Sequence, residues 1–207
     1  MKKTEEGFER SNKENLIIEV AQMRFGIYGV EKTSMQEIAN DLKLSKASLY
    51  YYFPDKASLY KAVVEKEQTE FINKILERIL RIKEPEQLLR EYVNARLSYF
   101  RTLLNLSRLR LEAYSDLKPV FRETIKAFKE KEKEIVKNIF EKGIALGKFS
   151  IKDTDQTASL FLDLLKGLRI SIVNDKKMLI IDQEEYDQLL KNTIDFTNIF
   201  LNGLKIK

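Results

Sequence analysis

Between Leu44 and Lys56 the chain reads LSKASLYYYFPDK. One ammonium, two serine hydroxyls and three phenols follow one another closely, ending at a phenylalanine and a proline. These groups carry positive charge and donate hydrogen bonds, which suits phosphate oxygens and base edges rather than bond-breaking chemistry. A helix advances about 100° per residue, so Tyr50, Tyr51 and Tyr52 must point three different ways. With Leu49 taken as the inward residue, Ser45, Tyr52 and Phe53 fall on its side. Ala47, Tyr50 and Tyr51 fall on the opposite side, with Lys46 and Ser48 at the flanks. Tyr52 then reads as a residue at the core edge, while Tyr50 and Tyr51 are adjacent exposed phenols in need of a partner.

Other chemistry is excluded by composition. The 207 residues include no Cys and no His, which removes disulfides, thiolate nucleophiles, the usual general base and most metal sites. No H-E-x-x-H, Glu-x-x-His pair or aspartate-rich box is present, so no catalytic residue, metal site or cofactor is expected and the chain reads as a non-enzyme. The N-terminal MKKTEEGFERSNKEN has no apolar run resembling a signal peptide. No stretch approaches about eighteen uninterrupted apolar residues, so a cytoplasmic protein without a membrane partner is expected. Net charge is +5, which mildly favours an anionic partner. Within residues 1–60, however, nine bases face nine acids. Any claim of DNA binding therefore has to rest on geometry.

Helices must position these groups. Ser11-x-x-Glu14 forms a capping box before Leu16, Ile17, Val20, Ala21 and Phe25, and Gly26 and Gly29 end that helix. A second box, Ser34-x-x-Glu37, opens a short helix carrying Ile38, Ala39 and Leu42. After a tight connection at Lys43-Leu44, Ser45 caps a third short helix that runs to Tyr52, stopped by Pro54. Asp55 caps a long helix with Leu59, Val63, Ile72, Leu76 and Ile79 on its apolar stripe. Beyond Pro85 the pattern predicts helices over about 86–104 and 107–115, then one from Pro119 to near Gly147. Two more follow, one from Asp153 or Asp155 through Ile172 and one from Asp182 through Leu204. No alternating-period strand competes. The expectation is an all-α fold of about nine helices, a three-helix unit followed by a larger bundle.

Two short helices joined by a tight turn, the second offering Lys, Ser and Tyr outward, have the form of a helix-turn-helix. Its second helix can enter a DNA major groove. Serine hydroxyls, phenols and the Lys56 ammonium suit phosphate oxygens. By pattern alone, a helical corner with solvated polar residues fits equally well.

The spacing Phe25-x3-Gly29-x3-Thr33-Ser34-x2-Glu37-Ile38-Ala39-x5-Ser45-Lys46-x2-Leu49-Tyr50-Tyr51-x-Phe53-x2-Lys56-x2-Leu59 resembles the DNA-binding domain of the TetR family of bacterial transcription regulators. Ala47 stands where many members carry glycine, and Tyr52 where histidine is frequent. The resemblance covers residues 11–71 as a DNA-binding domain and leaves 72–207 for ligand binding and dimerisation. It implies a phosphate contact from Thr33 or Ser34, base-edge contacts from Lys46, Ala47 and Tyr50 beside the Ser45 cap, and Gln36 as a reader from the second helix. Tyr51 and Lys56 would grip the DNA backbone.

The larger domain of that family dimerises through its last two long helices and encloses a small-molecule pocket. Here the last helix is apolar on more than one face, which suits a second copy of the chain, and Gly167 in LLKGLRISIV would allow close helix crossing. Polar and aromatic residues on apolar faces, Tyr92, Arg96, Tyr99, Phe128, Phe161 and Arg169, are the candidate effector contacts, with Arg96 and Arg169 for the head group of a small apolar or amphipathic molecule. The reading is a homodimeric repressor of a palindromic double-stranded DNA operator, released by such an effector. The alternative is an architectural or partner-regulated DNA-binding protein without one.

Overall fold

The computed structural model describes residues 2–79, 81–102, 111–173 and 182–206. Among them are eight α-helices: α1 (Lys2–Tyr28), α2 (Met35–Asp41), α3 (Lys46–Tyr52), α4 (Lys56–Ile79), α5 (Pro85–Thr102), α6 (Leu111–Ala145), α7 (Thr154–Val173) and α8 (Gln183–Leu204). The fold is all-α. The described residues contain no strand, only an isolated antiparallel bridge between Phe149 and Lys205.

Two boundaries differ from expectation. Helix α1 starts at Lys2 rather than at Ser11, because KKTEEGFER contains no proline and only one glycine to interrupt a helix. Ser11 therefore lies inside a helix and caps nothing. Pro119 likewise sits inside α6 instead of opening a helix. An internal proline costs about 3 kcal/mol, which α6 offsets by burying Ile135, Val136, Ile139 and Phe140 farther along. The segment expected over 107–115 lies partly outside the described residues, and its described part belongs to α6.

The helix-turn-helix is built locally. Ser34 accepts from the Glu37 N–H while the Glu37 carboxylate accepts from the Ser34 N–H, a complete capping box. At the other end of α2, the Leu44 N–H reaches the Ala39 carbonyl at 2.8 Å and the Lys43 N–H reaches Asn40 at 3.0 Å. This is a Schellman closure, and it puts Lys43 at φ 53°, a left-handed position that glycine usually fills. The turn fixes the angle between α2 and α3. Gly29, at φ +82°, ends α1 in the same region.

Two hydrophobic clusters divide the chain along α4. The first gathers Ile17, Ala21 and Phe25 of α1, Ile38 and Ala39 of α2, Leu49, and Leu59, Tyr60 and Val63 of α4. The second begins at Phe71 and takes in α5 to α8. Leu76, expected on the buried stripe, is 45% exposed; the larger bundle packs on α4 through Phe71, Ile72 and Ile75 instead. At the α6–α7 corner a Cβ on Gly143 would stand 2.0 Å from the Phe149 ring, so only glycine admits that buried phenylalanine. Asp153, rather than Asp155, caps α7, accepting from the Gln156 N–H at 2.9 Å. Helix α8 buries Leu189, Thr193, Thr197 and Leu201, a four-residue spacing. Both threonine hydroxyls donate to carbonyls one turn back at 2.7 Å.

Candidate nucleic-acid interface

Helix α3 is held by a few groups on one side, leaving the other open. Ser45 caps it, accepting from the Ser48 N–H at 3.0 Å, and the two hydroxyls lie 2.8 Å apart. Leu49 is fully buried and Phe53 nearly so; burying a leucine stabilises by about 1.5–3 kcal/mol. Tyr52 is half-buried against the same cluster. Lys46 and Ala47 are exposed, while Tyr50 and Tyr51 are 40% and 66% exposed. The phase deduced from Leu49 is the observed one.

Each outward tyrosine carries a cation over its ring. The Lys46 Nζ lies 5.7 Å from the Tyr50 centroid. The Arg10 Cζ, from α1, lies 5.2 Å from the Tyr51 centroid. Such exposed pairs are worth only about 0.5–1 kcal/mol, so their placement matters more than their strength. Arg10 escaped the sequence reading, which began the helix at Ser11. The signal was present, since Arg10 is seven residues before Ile17 and thus on the inward stripe of α1.

The other expected contacts divide. Ser34 and Gln36 are exposed at the start of α2, with the Gln36 amide donating to Asn40 at 2.8 Å. Thr33 is buried, and its hydroxyl donates to the Gly29 carbonyl at 2.8 Å, so that side chain closes a turn rather than facing solvent. The Lys56 ammonium donates to the carbonyls of Val30, Thr33 and Glu31 at 2.8, 3.0 and 3.3 Å. An ammonium has three protons, and here all of them are taken up in tying the α1–α2 turn to α4. The DNA-backbone grip expected of Lys56 would have to draw on an ammonium already engaged by these carbonyls. Arg24 is committed too, to Asp41 and, at 3.4 Å, to Glu37. Its hydrogen bond to Asp41 raises the guanidinium pKa and lowers that of the Asp41 carboxyl.

The comparisons bear on this arrangement. Residues 17–63 match the model of the family described as "Bacterial regulatory proteins, tetR family". Over 94% of its length the chain is 41% identical to the crystal structure of a transcriptional regulator from Cytophaga hutchinsonii ATCC 33406, covering 99% of that chain with a TM-score of 0.83. The chain belongs to the TetR family. It is also 42% identical over 71 residues to the HTH-type transcriptional regulator YuxN of Bacillus subtilis (strain 168), a match that spans 34% of this chain and 23% of that relative. A putative regulator from Saccharomonospora viridis, solved in complex with choline, shares the fold at 19% identity and a TM-score of 0.68, over 91% of this chain and 96% of that one. As a TetR-family member, the chain is a DNA-binding transcription regulator and not an enzyme.

In this TetR-family chain the expected effector residues fall into more than one cluster, with Arg96 and Arg169 both over the Phe100 ring and Phe161 away from it. Tyr92 and Arg96 are buried on the Glu132 carboxylate, with the Tyr92 hydroxyl donating at 2.7 Å and the Arg96 Nε at 2.6 Å. Burial raises the Tyr92 pKa well above its ordinary value. Burial also opposes the Arg96 charge, but Glu132 more than offsets it, and the guanidinium pKa rises. Arg96 thus already holds a carboxylate, that of Glu132. Phe161 sits apart among Phe140, Phe196 and Phe200, a packed aromatic core. Tyr99 stacks on Phe71 at 4.3 Å, with Phe128 5.8 Å from Phe71. Arg169 lies 4.2 Å from the Phe100 centroid. A cleft of about 370 Å³ opens at the meeting of α1, α4 and α5, lined among others by Gln22, Glu67, Phe71 and Tyr99. Among the described residues no cluster of His, Cys, Asp or Glu could hold a metal, and no helix is long and apolar enough to cross a membrane.

Proposed function

We propose that this TetR-family regulator is a homodimeric repressor that binds a palindromic operator and is released by a small molecule. The observation that carries the DNA part is the outer side of α3, where Lys46, Ala47 and Tyr50 stand exposed opposite a fully buried Leu49. In the major groove, Lys46, Ala47 and Tyr50 meet base edges beside the Ser45 cap. Ser34 and Tyr51 hold phosphates, and Gln36 reads from α2. The division into a DNA-binding unit and a larger domain near residue 71 is supported by the change of hydrophobic cluster between Val64 and Phe71 on α4. With α1 beginning at Lys2, the first unit starts before residue 11.

Dimerisation rests on apolar side chains the bundle leaves uncovered. On α7 Leu160, Leu164 and Ile170 are exposed, as is Ile199 on α8. A Cβ on Gly167 would meet nothing within 4 Å, so the close crossing this glycine permits is available to a second chain, not to its own. An apolar obligate interface of this kind buries on the order of 2,000 Å² or more.

Effector release is supported by the cleft beside Tyr99. Gln22 of α1 donates to Glu67 of α4 there at 3.2 Å, so a ligand in the cleft touches the helix that carries the DNA-binding unit. A ligand that favours a different spacing of the two units would shift the equilibrium away from DNA. The choline found in the Saccharomonospora viridis protein supports a small effector in this fold. An architectural role without effector is the second reading.

Selection of duplexes from a random-sequence pool by the full-length protein tests the proposal. The expected outcome is an inverted repeat with half-sites roughly 34–36 Å apart or a multiple of that. A single unpaired half-site, or no enriched sequence, would overturn it.

A further inference from the structure

The outward tyrosines raise a question that α3 alone does not answer: why Tyr51 carries a cation supplied by a different helix. The inward stripe of α1 runs through Phe25, Ala21 and Ile17, all fully buried. Extended by two turns toward the N-terminus, the same stripe reaches Arg10. At that height the hydrophobic cluster has ended, since its α1 members begin at Ile17. The side chain therefore overhangs the end of the unit and lies across the exposed ring of Tyr51, 5.2 Å from its centroid. Both residues are exposed.

We infer that Arg10 and Tyr51 together form a phosphate clamp, by which α1 joins α3 in holding the backbone of the bound DNA. The inference rests on the DNA-facing role proposed for α3. A guanidinium held over an aromatic ring still has a fork of N–H donors to offer, the group that takes phosphate bidentately. The ring restricts a long, flexible side chain before DNA arrives. The cations around it strengthen the assignment. Arg24 is held by Asp41 and Glu37, and Lys56 is held by three carbonyls. With acids and bases balanced across residues 1–60, affinity depends on which bases keep their charge outward. Arg10 and Lys46 do so beside the two exposed phenols.

Titrations of the full-length protein against a labelled duplex bearing the selected site, and against a mixed-sequence duplex of equal length, test the clamp across a range of salt. Arg10→Ala should lower the slope of log K against log salt by about one unit, the signature of one phosphate contact. Affinity at 0.15 M salt should fall on the order of fivefold for both duplexes alike, with the melting midpoint unchanged. Tyr51→Phe should keep the slope, because the ring is the platform. Adding Tyr51→Ala to Arg10→Ala should cost less than the two single effects combined. An unchanged slope in Arg10→Ala, while Lys46→Ala lowers it, would overturn the clamp and leave the recognition helix standing. A lowered melting midpoint with an unchanged slope would make the pair a helix-packing contact. If the wild type binds neither duplex, the DNA reading itself fails.

Discussion

Arginine meets an aromatic ring in both halves of the molecule, under opposite conditions. In the larger bundle Arg96 lies 4.8 Å from the Phe100 centroid, shares Glu132 with the Tyr92 hydroxyl and is almost wholly out of water. Near α3, Arg10 and Lys46 cover Tyr51 and Tyr50 in the open, and among the described residues neither holds a carboxylate. Burial requires every charge and hydroxyl to find a partner inside the fold, because an unpaired one costs several kcal/mol. Exposure leaves the same groups hydrated, and a hydrated cation can exchange water for a phosphate oxygen. Side-chain type alone therefore does not assign a role here; the available partners do.

Breaking the buried pairing should have the largest effect. Glu132→Ala leaves Arg96 charged and without its carboxylate, and should cost about 3–5 kcal/mol of stability in denaturant unfolding. A loss under about 1 kcal/mol would mean that water reaches Arg96, and the contrast between the two halves would weaken.

The contrast also runs through a single helix turn. Leu49→Ala should cost roughly 2–5 kcal/mol, whereas Tyr50→Ala should stay within about 0.5 kcal/mol and yet weaken binding to the selected duplex and alter its sequence preference. If Tyr50→Ala melts the unit as Leu49→Ala does while binding survives, the exposed face of α3 is not the DNA-binding face.

Lys56 lies between these extremes, a cation that neighbours the DNA-facing helix and is nonetheless engaged internally. Lys56→Ala should remove its hydrogen bonds to Val30, Glu31 and Thr33, at about 1–3 kcal/mol, and leave the salt slope of DNA binding unchanged. A slope lower by about one unit with unaltered stability would return Lys56 to the phosphate contacts.

How much of this was legible varies with the range of the interactions. The capping box at Ser34, the helix start at Asp182, the stop at Pro54 and the outward phase of Tyr50 and Tyr51 are set within one or two turns of chain, and the sequence displays them directly. The start of α1 and the passage of α6 through Pro119 were misread. In the first case helix-forming residues continue past a good capping signal; in the second, packing far along the helix outweighs a local penalty. The partners of Lys56 and Arg96 could not be read at all, since the chain brings Val30 and Glu132 to them from 26 and 36 residues away.

The sequence by itself determined the helical class, the helix-turn-helix with its inward Leu49 and outward tyrosines, and the absence of His and Cys chemistry. Each follows from composition or from a periodicity read over a few turns. Only the tertiary structure decided which cations remain outward. Lys56, Arg24 and Arg96 differ little from Lys46 and Arg10 as residues. Their partners are set by where the helices cross, and a crossing depends on the packing of whole faces rather than on any local signal. Placing Arg10 over Tyr51 required α1 to pack through Ile17, Ala21 and Phe25 and then run two turns beyond its own core.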